Sequence, residues 1–240
     1  MTAPILGQRV CDLGLTLERS SFPPLIRALE RELERRGISL LPRFYLSTEY
    51  GCVERTATIG VLFSDGFPAT RREARRHHVV VRSRADMLRT LRHEAGHAFC
   101  YVHRLYATPR FRRLFGVRGS FFGSYPESWR PGPRDRARLG RGEVAGLYAA
   151  RHADEDFAVT FQTWLADPTG SVRRWARRPK VLAKLVYVAE MVARHGRAAV
   201  RPRRVPWDEP VEAVTDTFGA WLRRTSRGTN YQLRARGTVA

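Results

Sequence analysis

The stretch that most constrains this chain is His93-Glu94-Ala95-Gly96-His97. Two histidines four residues apart point the same way only on a helix, where their ring nitrogens can share one metal ion. The flanking sequence supplies that helix. Leu88, Leu91, Ala95, Ala98, Phe99, Val102 and Leu105 recur at spacings of three and four, which predicts a helix from about Ala85 to Tyr106 with an apolar stripe. His93 and His97 fall on the opposite face. The helix is therefore expected to anchor one side in the core and present both histidines to a cleft. Glu94 lies beside the metal position, where a carboxylate can take a proton from water.

A catalytic metal held by two histidines needs a third protein ligand and an open position. Glu155 is the best placed, at the start of a helix predicted from about Asp154 to Ala166. The same glutamate would also suit the positive end of the helix dipole without any metal. His103 competes, because His93-x3-His97-x5-His103 matches the spacing of metalloenzymes whose third ligand is a histidine. Those sequences need a glycine where this chain has Cys100, and Phe99 and Val102 continue the helical stripe through that point. His103 is read as a helix-surface or cleft-edge residue and His152 as a loop residue near the site. Tyr148, seven residues before Glu155, can pack within a helix or offer its hydroxyl to an oxyanion.

The rest of the chain reads as α+β. A short strand is possible within residues 5–17. A helix capped at Ser20 or Ser21, with Pro23 and Pro24 in its first turn, ends at Gly37. Strands are predicted at Ile38–Ser47, Thr56–Phe63 and His78–Arg82, forming a small sheet packed on the histidine helix. Pro42 places the first at an edge or bulge. Residues 107–142, rich in Gly, Pro, Arg and aromatics, read as a long loop able to cover the cleft. Further helices are predicted at Gly142–Arg151, at Pro179–His195 (or from Ser171), and from Asp208 onward, with a basic linker at Arg201–Arg204. One domain over residues 1–223 and a basic, disordered tail over 224–240 complete the expected layout.

Composition limits the partners. The net charge is +20, and all but Lys180 and Lys184 of the 43 basic residues are arginine. Such a surface attracts nucleic acid or acidic protein segments, although charge runs are also ordinary solvated surface. Cys11, Cys52 and Cys100 are too scattered for a disulfide framework or a CxxC metal site. With no signal-peptide pattern and no long apolar run, the expectation is a cytoplasmic protein without a membrane span.

Two segments together resemble a family. Leu91-Arg92-His93-Glu94-Ala95-Gly96-His97-Ala98 is similar to the L-R-H-E-x-G-H-A of bacterial zinc-binding metallopeptidases of gluzincin type. Tyr148-Ala-Ala-Arg-His-Ala-Asp-Glu155-Asp-Phe-Ala resembles their Y-A-x-x-H-P-x-E-D-F-A. The likeness extends over roughly residues 10–222. It implies a zincin-like fold, a Zn²⁺ cofactor held by His93, His97 and Glu155, Glu94 as base and Tyr148 as oxyanion donor. Peptides or proteins would be the substrates. The chain departs from the pattern at Ala153, where the family has proline, and at Val159, where it has a second acid that would orient a metal-bound histidine. Asp154 or Asp156 are the local substitutes. A catalytically weak or inactive zinc-binding module, which docks a partner or nucleic acid, is the competing expectation.

Overall fold

A computed structural model describes residues 5–126, 129–198 and 207–229. The fold is α+β: a three-stranded sheet set against a larger helical body. The predicted linker at Arg201–Arg204 and residues 230–240 of the predicted tail lie outside the described residues. No helix among the described residues is long and apolar enough to cross a membrane.

The first helix, α1 (Pro23–Arg35), buries Leu25, Leu29 and Leu33 and ends before Gly37, whose φ of +72° suits glycine. Strands β1 (Arg43–Ser47), β2 (Gly51–Cys52) and β3 (Thr58–Leu62) follow. The central strand is β3. It pairs parallel with β1, Arg43 opposite Thr58 through Ser47 opposite Leu62, and antiparallel with β2. Every residue of β3 is buried, as its unbroken TIGVL run requires. Pro42 precedes β1 at the sheet edge, where its missing N–H costs no ladder bond.

The predicted third strand at His78–Arg82 does not form. The segment is extended and is held by Asp65 instead, a fully buried carboxylate that accepts from the Arg82 backbone N–H (3.0 Å) and from the Tyr50 hydroxyl (3.0 Å) and pairs with Arg82 and Arg71. That network occupies the backbone group a ladder would use. A short turn α2 (Phe63–Gly66) and a helix α3 (Pro68–Arg76) precede it. The charge run within α3 hides its buried side, Thr70, Glu73 and Ala74.

The histidine helix is α4 (Arg84–Val102), capped by the Ser83 hydroxyl on the Asp86 N–H. Leu91, Ala95, Ala98 and Phe99 are fully buried, as the stripe predicts, whereas Leu88 and Val102 are only partly covered. Residues 107–142 are not one long loop. They contain α5 (Pro109–Phe115) and α6 (Pro133–Gly140). Phe111 and Phe115, four apart, lie against Phe157 and Tyr187, so two of the aromatics read as loop residues are a helix's buried face.

Residues Gly142–Arg151 form only a 3-10 turn at Tyr148–Ala150. Then come α7 (Ala153–Ala166), α8 (Pro168–Trp175) and α9 (Pro179–His195). The last helix, α10, spans Phe218–Thr229. It begins ten residues after the predicted start at Asp208 and runs past Arg224, where the sequence reading begins the tail. Residues 207–210 are instead clasped to the end of β1: the Tyr45 hydroxyl donates to the Asp208 carbonyl (2.8 Å), and Ser47 bridges to Pro210. The predicted N-terminal strand reduces to a single bridge between Arg9 and Thr217.

Helices α4 and α7 pack closely at Gly96. A Cβ there would meet Ala158 Cα at 3.0 Å and Phe161 Cβ at 3.1 Å. This approach brings the N-terminus of α7 to the histidine face of α4.

Candidate metal centre

His93 and His97 sit one turn apart on α4, and their Nε2 atoms lie 3.1 Å from each other. Glu155, in the first turn of α7, sends Oε2 to the same point, 2.9 Å from His93 Nε2 and 3.7 Å from His97 Nε2. All three residues are buried and together form a group that can hold a metal ion. The tautomer of His97 is consistent with this. Its Nδ1 lies 2.9 Å from Asp154 Oδ1, and a carboxylate can only accept, so the proton sits on Nδ1 and the Nε2 lone pair faces the centre. Glu155 Oε2 is buried and accepts no hydrogen bond among the described residues. A buried carboxylate oxygen 2.9 and 3.7 Å from two imidazole nitrogens needs either protons on those nitrogens or a cation between the three groups.

The surrounding carboxylates also favour a second proton on His97, so a proton and a cation compete for the Nε2 position. Burial alone would push the His97 imidazole down, but Asp154 outweighs it, with help from Glu155, and holds the pKa well above its ordinary value. For Glu155, burial pulls upward and the two histidines pull downward more strongly, leaving the carboxyl well below the usual range.

His97 and Glu155 are held in turn by their neighbours. Asp154 is 4% exposed and receives, besides His97, a hydrogen bond from the Tyr101 hydroxyl one turn further along α4. Asp154 is thus the acid that meets His97, whereas Val159 faces Val144, Ala149 and Ala150. Asp156 points to the back of the helix, where Lys184 Nζ of α9 meets its Oδ2 at 2.6 Å and also donates to the Glu143 carbonyl. His152 caps α7 by accepting from the Asp154 N–H (3.2 Å). His103 does not join the group: it occupies the C-cap position of α4, edge-on to Phe99 and stacked on His195. Cys100 is a buried core residue.

The centre opens into a cleft of about 800 Å³ lined by His93, Glu94, His97, Tyr148 and Glu155. Glu94 is 5% exposed and has no hydrogen-bond or ion-pair partner among the described residues. Tyr148 stands with its ring centroid 5.9 Å from that of His93. Arg151 Nη1 donates to the Tyr148 hydroxyl oxygen (3.0 Å), which polarises its O–H bond.

Sequence reading missed two contributors. Tyr125 donates its hydroxyl to Glu155 Oε1, and burial together with the Glu155 charge pushes its own pKa up, so it stays a donor. Arg151 stacks 4.5 Å over the Tyr125 ring and anchors the Pro126 carbonyl (3.0 Å). With Phe121 and Phe122, Tyr125 forms one wall of the cleft, so part of the segment predicted to cover the cleft does line it. Only its aromatic content signalled this in the sequence. Glu49, Asp208 and Glu209 line the cleft near the sheet, brought in by the clasp on β1.

No family model, curated protein or solved structure matches the chain. Fold and site together define an α+β protein whose buried His93, His97 and Glu155 form a group that could hold a metal ion at the floor of an open cleft.

Proposed function

We propose that this chain is a zinc-dependent peptidase of gluzincin type, with His93, His97 and Glu155 as the metal ligands. The observation that carries the reading is the convergence of these three ligand atoms beside an unpaired buried glutamate, on the floor of a cleft. Their separations of 2.9, 3.1 and 3.7 Å bracket the roughly 3.3 Å expected between tetrahedral ligands with zinc bonds of about 2.0–2.1 Å. The motif resemblance supports the same assignment.

Zinc bound there supplies Lewis acidity, polarising a carbonyl and easing deprotonation of water. The chain's own residues do the rest. Glu94 takes the proton of the attacking water and returns it to the leaving amine, so that the carboxylate is regenerated. The Tyr148 hydroxyl, polarised by Arg151, donates to the oxyanion that develops on the scissile carbonyl. Asp154 fixes the His97 ring and Tyr125 fixes the Glu155 carboxylate, which keeps both oriented through the reaction. Phe121, Phe122 and Tyr125 present an apolar wall to a peptide in the cleft and limit access of water to it.

Metal analysis combined with digestion of an unbiased peptide library tests this reading. Wild type should carry about one zinc per chain, and Glu94→Gln should keep the metal while losing cleavage. Tyr148→Phe should keep the metal and lower kcat more than it raises KM. A folded wild type that takes up no zinc would remove the proposal. Zinc binding with no cleavage by wild type would favour the non-catalytic module instead.

A further inference from the structure

The +20 charge is not evenly spread among the elements. Helix α6 and the residue after it carry Arg134, Arg136, Arg138 and Arg141. The α8–α9 corner carries Arg173, Arg174, Arg177, Arg178 and Lys180. These segments are more than thirty residues apart in sequence and meet in space. Arg178 Nη1 donates to the Gly140 carbonyl at 2.8 Å, and its side chain lies over Gly142. Glu143 joins the two sides, accepting from Arg141 (3.0 Å) and from Lys180 (2.9 Å). All the cationic residues of the α8–α9 corner are exposed, as are Arg134, Arg136 and Arg141. Across residues 134–143 and 173–180 there are nine basic residues and two acidic ones, Asp135 and Glu143. Both acids are already engaged, Asp135 on the Gly132 N–H and Glu143 by its cations. Hydrogen bonds from Arg141 and Lys180 hold the Glu143 carboxyl down to about 2.

We infer that this seam between α6 and the α8–α9 corner is a docking surface for the phosphate backbone of nucleic acid. A cation-dense face with few counter-charges gains most from a polyanion, which releases condensed counterions on binding. Arginine forks suit phosphate oxygens in bidentate fashion. An anionic membrane fits less well, because interfacial binding draws on inserted apolar side chains. Of the exposed large hydrophobic residues Leu41, Val172, Val186 and Trp207 among the described residues, Val172 is the one adjacent in sequence to the seam's arginines. The proposed contacts are to phosphate oxygens, which position the duplex but carry no sequence information, so binding is read as sequence-independent. None of the seam's basic residues lines the metal cleft, so the inference stands or falls separately from the peptidase reading.

The test is fluorescence anisotropy of the full chain with a short labelled DNA duplex across a salt series. If about five phosphates are engaged, the log–log salt slope is about −4.5, and affinity falls roughly 500-fold between about 50 and 200 mM salt. Arg174→Gln/Arg177→Gln should reduce the slope by about two and weaken binding at least about tenfold at low salt, while Arg174→Lys/Arg177→Lys retains most of it. Arg27→Gln/Arg31→Gln on exposed positions of α1 removes the same charge away from the seam and should change affinity less than about twofold. Equal losses from the seam and α1 variants would overturn the inference, because the attraction would then belong to the whole surface. Tighter binding to polyglutamate, or to phosphatidylserine vesicles, than to DNA at the same salt would overturn it as well.

Discussion

Gly96 tests the link between helix packing and the metal centre, because two effects of opposite sign meet there. Gly96→Ala in the middle of a helix should stabilise by about 1 kcal/mol from backbone entropy and propensity alone. The structure opposes this. The added Cβ would lie 3.0 Å from Ala158 Cα, 3.1 Å from Phe161 Cβ and 3.3 Å from the Ala158 carbonyl oxygen. None of these is the far end of a flexible side chain. The strain can be relieved only by moving α7 against α4, and overpacking of this kind costs about 1–3 kcal/mol. With rigid neighbours the upper half of that range applies, leaving a net loss of about 1–2 kcal/mol. For a domain of this size that lowers Tm by roughly 2–8 °C. The same displacement moves Glu155, three residues before Ala158, away from the two histidines, so metal affinity should fall with stability. Thermal denaturation of the metal-free protein and competition with a zinc chelator measure the two effects. A Gly96→Ala protein that is more stable than wild type, with unchanged metal affinity, would refute the reasoning.

Asp154→Asn removes the carboxylate from His97 Nδ1 but keeps the side-chain shape, and should lower zinc affinity about 10- to 100-fold with little change in secondary structure by circular dichroism. Lys184→Met leaves the Asp156 carboxylate buried without its cation and should cost about 3–5 kcal/mol in urea unfolding, far more than an exposed lysine would. Metal affinity should depend on pH with a definite sign. Because Asp154 and Glu155 raise the His97 pKa against the pull of burial, a proton competes with the metal at neutral pH. Affinity should therefore rise by up to about tenfold per pH unit until the folded pKa of His97 is passed. In Asp154→Asn that rise should end at a lower pH, as chelator competition across a pH series would show.

Local pattern was enough for several features. The i,i+4 histidines and the apolar stripe placed α4 to within a few residues of its ends, and Glu155 was legible at the head of α7. These depend on helical periodicity, which the chain carries in consecutive residues. The errors have a common physical source. Helix α3 was hidden by its arginines, although one face is buried. Helix α5 was hidden in a Gly- and Arg-rich stretch, since Phe111 and Phe115 make a stripe too short to stand out from it. The strand expected at His78–Arg82 has a suitable sequence, but Asp65 claimed its backbone.

What the sequence alone determined is the set of chemical groups and their local presentation: two imidazoles on one helical face, a carboxylate between them, and a second carboxylate at a helix start. Only the tertiary structure decided how these groups combine. The close crossing at Gly96 brings Glu155 Oε2 to the histidines across a gap of 58 residues from His97. It also selects Asp154, rather than Asp156, as the partner of His97, because successive residues of a helix point in different directions and the docking of α7 sets which one faces α4. The arginine seam arises in the same way: its two halves are distant in the chain, and the Arg178–Gly140 and Lys180–Glu143 contacts show that they share a surface.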